Sequence, residues 1–424
     1  MSATACIDAA APVADAGAAA DGPQIVLDLS RLLSRVLHPT PTGVDRVEMA
    51  YAEGLLRLAP ERLQFTAFHP CGLHGRLPTG LVSEFLALTA ARWTDEGWTE
   101  PRTQRWRRAA AACLSLAPRP ISPSRAATGR PRAYLHLSAR GLERHRAIAA
   151  ILTRRNARFI PFVHDLIPLE HPEYARPGGA RDYARKIAAA SALASGVLVN
   201  SQATAEALAP ALTAAGRATP VRVAPLGVPT SPPIRNANVL CARPYFVALG
   251  TIEPRKNHLL LLHLWRRMAL TLGPERTPDL MLVGRRGWES EMVFDLLDRA
   301  PTLRGVVHEL GCIPDTRLRE LIRGARAVLL PSFAEGYGLP VAEALALGAP
   351  VIASDLPALR ETGGGAPDYL DPLDGAAWAA AAADYATPGS ARRQAQLARI
   401  ARWRPPTWDD HLAAALDFID EVCA

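Results

Sequence analysis

From Gln24 onward the chain alternates short apolar runs with longer segments of helical spacing. Ile25–Leu29 reads as a strand. Val44–Leu58 carries Val44, Val47, Tyr51, Leu55 and Leu58 at the three-and-four interval of a single helix face. Tyr134–Leu137, Phe159–Val163 and Val197–Val199 are further strands, and a helix follows each of the last two. Ser201 or Thr204 can cap the helix after the third of these strands. Between Gly227 and Pro244 the sequence GVPTSPPIRNANVLCARP interrupts the rhythm, and its proline density marks a linker. The alternation then restarts with a strand at Tyr245–Leu249 and a helix at His258–Leu270. Strands follow at Leu280–Val283, Val306–Leu310, Ala327–Leu330 and Val351–Ala353. Repeated strand–helix alternation predicts the α/β class, with parallel sheets covered by helices. The expected organisation is a first half over 24–235, a second over 236–402, and an amphipathic helical stretch at 403–424 that can return to the first half. No motif recurs with a period of roughly 20–50 residues, which excludes a solenoid.

Composition changes this picture in two places. The chain has 424 residues, 49% hydrophobic and 21% charged, enough for two cores without metals or disulfides. Its six cysteines form no CxxC pair, which argues against zinc ribbons, iron–sulfur sites and a secreted disulfide framework. Residues 1–23 are alanine-rich and carry Asp8, Asp15 and Asp21, so they read as a disordered tail and not as a secretory signal. No apolar run approaches the roughly 18 residues of a membrane span, and the expected location is cytoplasmic. The net charge of +7 has a local origin. Segment 101–133 holds eight arginines and no acid, and the rest of the chain sums to −1. Trp93, Trp98 and Trp106 lie in or just before this segment. Such a stretch fits peripheral docking on an anionic membrane surface, and it equally fits a solvated insertion. With the charge confined there, and with no zinc-finger, basic-helix or aromatic RNA-binding signature, no nucleic-acid partner is expected.

Candidate chemistry gathers at the ends of strands. In PSFAEGYGLPVAEALALG, Pro331–Gly348, a strand gives way to a loop with Glu335, Gly336 and Gly338. Pro340 suits the first helical position and Gly348 the residue past the helix end, so Glu343 is expected in the first turn. Open α/β sheets bind ligands beyond the carboxyl ends of their strands. Two carboxylates there can accept hydrogen bonds from the vicinal hydroxyls of a sugar or ribose. The plain structural reading makes Glu343 a dipole-stabilising acid and Glu335 a solvated loop residue; the Gly/Pro framing favours the functional one. In GTIEPRKN, after the strand Tyr245–Leu249, Arg255 and Lys256 are adjacent cations able to hold a diphosphate, or an ordinary basic helix start. In PTPTGVDRVE, Gly43 can bring backbone N–H groups close to a ligand at a helix start, or simply serve a turn. His164 and Asp165 follow the strand Phe159–Val163; Asp165 either orients the imidazole or caps the next loop.

Together these windows resemble the retaining glycosyltransferases of family 4 (glycosyl transferases group 1), which have the GT-B fold of two Rossmann-like domains facing each other across a cleft. The resemblance is strongest from Tyr245 to Asp374, through GTIEPRKN, LVGRRG, GCIPD, the Pro331–Gly348 window with its Glu335-x7-Glu343 spacing, and YLDPLD. In the first half, TGVDRVE, FVHDLIPLEHPEY and VLVNSQATAEAL look most like bacterial mannosyltransferase-type enzymes of surface polysaccharide assembly. The resemblance implies a nucleotide diphospho-sugar donor, GDP-mannose first, and a glycan or lipid-linked oligosaccharide acceptor. No metal-ligand cluster is visible in the sequence, so no metal and no cofactor are expected, the cations serving where a magnesium ion does elsewhere. Arg255 and Lys256 match the diphosphate-binding positions, Glu335 the acid on the donor sugar, and Glu343 the acid on the ribose. Gly336, Tyr337, Gly338 and Leu339 match the donor-side backbone beside Glu335. Gly43 matches the glycine loop facing the phosphates, and His164 the first-domain histidine near the reacting sugar. Many members have paired glycines where this chain has Gly43–Val44. Arg46 would add a charge near donor or acceptor. The competing functions are a sugar-nucleotide epimerase on the same fold and a non-catalytic nucleotide-sugar binder.

Overall fold

A computed structural model describes residues 22–94 apart from 37, 39 and 70–72, residues 130–229 and 243–424, and the isolated positions 103 and 107. Nearly all of the expected tail and of segment 101–133, and the middle of the expected linker, lie outside the described residues. The first domain is built on β1 (Gln24–Asp28), β2 (Leu63–Phe68), β3 (His74–Arg76), β4 (Arg132–His136), β5 (Ala157–Val163), β6 (Val197–Val199) and β7 (Val221–Val223). Their order is β3-β2-β1-β4-β5-β6-β7, and all pairs are parallel except β2 with β3. The second domain has β8 (Tyr245–Leu249), β9 (Asp279–Val283), β10 (Val307–Gly311), β11 (Val328–Leu330), β12 (Val351–Ser354) and β13 (Asp368–Leu370). These run parallel in the order β10-β9-β8-β11-β12-β13.

A parallel sheet is covered on both faces, so its central strands have no polar side. Every residue of β8 and β9 is buried accordingly. Phe246, Ala248, Leu280 and Leu282 pack against Trp265, Trp378 and Tyr385 on one face. Val247, Leu249, Met281 and Val328 pack against Val341 and Leu345 on the other. That second face seats the Leu339–Ala346 helix, which carries Glu343, directly on the sheet.

The Trp408–Cys423 helix packs on the first domain, placing Leu412, Ala415, Phe418 and Ile419 in the core with Ile25, Leu27, Tyr51 and Phe65. Each such large apolar side chain contributes about 1.5–3 kcal/mol. His411 fixes the docking: its Nδ1 lies 3.0 Å from the Pro225 carbonyl and its Nε2 2.7 Å from the Tyr51 hydroxyl. A carbonyl only accepts, so Nδ1 carries the proton and Nε2 accepts from Tyr51. The Val228 N–H donates to the Pro406 carbonyl at 3.1 Å, so the outgoing and returning crossings between domains lie side by side.

Candidate active site

A charge cluster gathers where the loops after β8 and β11 meet. Arg255 and Lys256 stand in a 3-10 turn, Pro254–Lys256, after β8 and ahead of the helix beginning at His258. The neighbouring strand β11 delivers Ser332 and Glu335 to the same place. Glu335 accepts from Arg255 Nη1 at 2.9 Å, from the Ser332 hydroxyl at 2.7 Å and from Lys256 Nζ. Arg255 also donates to the Ala334 carbonyl at 3.0 Å, and its Nε lies 2.6 Å from Glu253. Burial pushes the Glu335 carboxyl up, but Lys256, Arg255 and the Ser332 hydroxyl outweigh it and hold the pKa at about 2. Burial pulls the Lys256 ammonium below its usual value, with Glu335 opposing. Glu253 and Ser332 are thus parts of the site that the sequence reading missed.

Glu343 sits elsewhere. Gly338 is the N-cap of its helix at φ +92°, a conformation that suits glycine, and Leu339 opens the helix. Pro340 is therefore the second helical residue, and Glu343 lies past the first turn. This corrects the expected first-turn position, and with it the dipole-stabilising role. Glu343 faces Arg46 of the first domain, whose Nε is 3.8 Å away. The Arg46 fork is taken by Asp315, at 2.7 and 2.5 Å. No hydrogen bond reaches the Glu343 carboxylate among the described residues. Burial raises its pKa, Asp315 adds to the rise, and Arg46 and Arg319 oppose it. Asp315 lay in the GCIPD segment without being singled out; its position after Pro314 marks only a helix start. Arg46, Asp315 and Glu343 line a cavity of about 480 Å³ between the domains, together with Leu339, Trp93 and Leu412. That volume is within the usual range of ligand sites, and a domain interface is a usual place for one.

The first-domain candidates lie against the same loop. Gly43 opens the Gly43–Leu58 helix, and a Cβ there would stand 3.3 Å from Leu339 Cδ1. His164 Nε2 lies 2.7 Å from the Leu137 carbonyl. Burial lowers the His164 pKa to about 4, with that carbonyl opposing, so the ring is neutral near pH 7 with its proton on Nε2. Asp165 does not orient the ring; it accepts from the Ile167 N–H at 3.2 Å, the loop-capping alternative. The His164 carbonyl would lie 2.3 Å from a Cβ on Gly336, so only glycine fits between the two domains there. The Ser201 and Thr204 hydroxyls lie 2.8 and 3.2 Å from the Gly336 carbonyl, and the Tyr337 hydroxyl donates to the Leu226 carbonyl at 2.8 Å. Arg255, Lys256 and Glu335 thus form one group, while Glu343 belongs to a second, interdomain group. Gly43 with Leu339, and His164 with Gly336, mark two places where the domains approach closely.

Residues 243–387 match the family model described as Glycosyl transferases group 1. O-antigen chain mannosyltransferase B of Escherichia coli is 37% identical over 151 residues, covering 35% of this chain and 39% of that protein. The serotype-specific mannosyltransferase WbdA of Escherichia coli is 31% identical over 221 residues, covering 47% of this chain and 26% of that one. The chain thus spans well under half the length of these relatives in the matched segments. Among solved structures, sucrose-phosphate synthase from Thermosynechococcus elongatus superposes with a TM-score of 0.59 at 16% identity, covering 93% of this chain and 98% of that one. Anabaena HepE, solved in complex with UDP-glucose, gives 0.55 at 16% identity, covering 94% and 97%. The two Rossmann-like sheets form the GT-B fold, and the match to the glycosyl transferases group 1 model falls on the second domain.

Proposed function

We propose that this protein moves a hexose from a nucleotide diphospho-sugar to a hydroxyl of a glycan or lipid-linked oligosaccharide, with retention at the anomeric carbon, in the cytoplasmic stage of bacterial surface polysaccharide assembly. GDP-mannose is the first donor to test, because the relatives named above are mannosyltransferases. The observation that carries the reading is the Arg255–Lys256–Glu335 group at the carboxyl ends of β8 and β11. Its cations are already oriented by Glu335 and Glu253 where a leaving diphosphate would gather negative charge. Preorganised charge of that kind is usually the largest catalytic term, worth about 10²–10³ in rate for a single donor. In the step proposed, the bond from C1 to the diphosphate oxygen breaks. A bond from C1 to the acceptor oxygen forms on the same face, and the acceptor proton passes to the departing diphosphate. Sugar hydroxyls would share Glu335 with the cations, and the ribose diol would take the open carboxylate of Glu343. His164, neutral and protonated at Nε2, can offer its Nδ1 lone pair to a sugar hydroxyl but has no proton to spare for the leaving group.

A thermal-shift screen against GDP-, UDP-, ADP- and dTDP-sugars reads the donor, since a ligand at 100 times its Kd adds about 2.7 kcal/mol to native stability. With the donor in hand, Glu335→Ala and Lys256→Ala should each lower transfer at least about tenfold while leaving the protein folded. Near-normal turnover in both variants sinks the site. Donor consumption without a glycosylated acceptor transfers the case to an epimerase.

A further inference from the structure

We propose that Arg46 is a positioning residue that completes the donor site when the domains close, by bridging Asp315 and holding Glu343 as an open, charged acceptor for donor hydroxyls. This rests on the glycosyl-transfer reading. Arg46 is aimed before it meets the second domain. Thr42 caps the Gly43–Leu58 helix by accepting from the Asp45 N–H, and Asp45 accepts in return from the Thr42 N–H at 2.8 Å. Arg31 and Arg35 hold the same Asp45 at 3.1 and 3.2 Å. The helix start is therefore pinned, and Arg46 leaves it towards the cleft.

Across the cleft, two acids stand on different helices of the second domain: Asp315 opens Asp315–Gly324, and Glu343 lies within Leu339–Ala346. The Arg46 fork satisfies Asp315 and leaves the Glu343 oxygens without a donor of their own. A bidentate guanidinium fits one carboxylate plane; Lys could supply the charge but not the fork. The charged groups facing Glu343 are Arg46, Asp315 and Arg319, with Glu53 and Arg57 further along the same cavity. With Arg46 withdrawn, burial and Asp315 would both favour the protonated acid, with only Arg319 opposing. A protonated Glu343 accepts donor hydroxyls poorly, so donor capture and closure become one event.

The test compares full-length wild type with Arg46→Ala, Arg46→Lys, Asp315→Asn and the double variant Arg46→Ala/Asp315→Asn, using GDP-mannose or UDP-glucose, whichever the wild type turns over. Arg46→Ala should raise donor KM at least about tenfold with kcat within about threefold, the signature of lost donor binding. Its kcat/KM should lose activity at higher pH on the acid side than wild type does. Arg46→Lys should recover part of the loss. The double variant should bind donor better than Arg46→Ala alone, because the acid that repels Glu343 is gone. Unchanged donor KM in Arg46→Ala, or a double variant worse than both singles, overturns the proposal. If the wild type neither binds nor consumes any sugar nucleotide, it is the glycosyl-transfer reading that fails. The bridge is then read by small-angle scattering, where Arg46→Ala should widen the particle and an unchanged radius of gyration rejects the bridging role.

Discussion

Glu335 and Glu343 belong to one short segment, yet the fold gives them opposite surroundings. Glu335 is met by three donors, all from its own domain, and is held ionised with a pKa of about 2. Glu343 receives no hydrogen bond among the described residues, is pushed up by burial and by Asp315, and has its nearest cation on the other domain. One group is therefore complete within the second domain, and the other takes its nearest cation from the first. On the glycosyl-transfer reading, the lesson concerns preorganisation: groups that would meet developing charge are fixed in advance, whereas groups that would recognise the donor are left for contact between the domains to complete.

The sharpest way to break this contrast is to hold the domains apart. Gly336→Ala would place a Cβ 2.3 Å from the His164 carbonyl, and backbone on the far side cannot yield as a flexible side chain would. Transfer should fall about a hundredfold, since misplacing a catalytic group by about 1 Å already costs that much. The Glu335 ion pairs, wholly inside the second domain, should survive, so the melting temperature of that domain should change little. Wild-type rates in Gly336→Ala would show that closure does not govern the chemistry.

A pH profile sharpens the same contrast with a smaller effect. The folded pKa of Glu335 is depressed, so its stabilising contribution is present above the unfolded value of about 4.3 and is lost only as pH falls through about 2. Glu343 has a raised folded pKa, so it takes up a proton on acidification before an ordinary carboxyl would. Donor KM should therefore rise on the acid side at a pH above the ordinary glutamate range, with kcat less affected. Glu343→Gln should remove that limb; if the limb persists unchanged, it belongs to another group.

Much of the framework was legible in the chain because burial on both faces leaves unbroken apolar runs. Tyr245–Leu249 and Val197–Val199 coincide with the observed strands, and Ser201 caps its helix, accepting from Thr204 N–H. The Glu335 end was partly legible for a local reason: glycine and proline framing reports the shape of a loop. Its pairing was not, because Arg255 and Glu335 meet through the adjacency of β8 and β11, which periodicity does not encode. The Glu343 end was harder still. Arg46 and Asp315 lie in different domains, and only the packing of one domain against the other makes partners of them. The one-residue error at the start of the Glu343 helix came from reading Pro340 as its first position, when Gly338 in the left-handed region had already begun the turn at Leu339. The amphipathic stretch at the end of the chain likewise showed a face without naming the sheet that would bury it.

Glu361 offers the mildest test, since it crosses the domain boundary without touching either group. Its carboxylate accepts from the Gln202 and Ala203 N–H groups at 2.6 and 2.8 Å, at the start of the Gln202–Ala214 helix of the first domain. Ser201 already satisfies the Thr204 N–H, so Glu361 supplies the other acceptors that this helix start lacks. An acid at a helix N-terminus is favourable, and losing such a cap costs about 1 kcal/mol, less where water can take over. Glu361→Ala should therefore lower closure stability slightly and raise donor KM less than about threefold, well short of Arg46→Ala, while leaving its pH dependence untouched. The two substitutions both delete a charged interdomain contact, so the difference between them isolates what Glu343 adds. An equal rise in KM for both would mean that any contact holding the domains together serves, and that Arg46 has no special hold on the donor site.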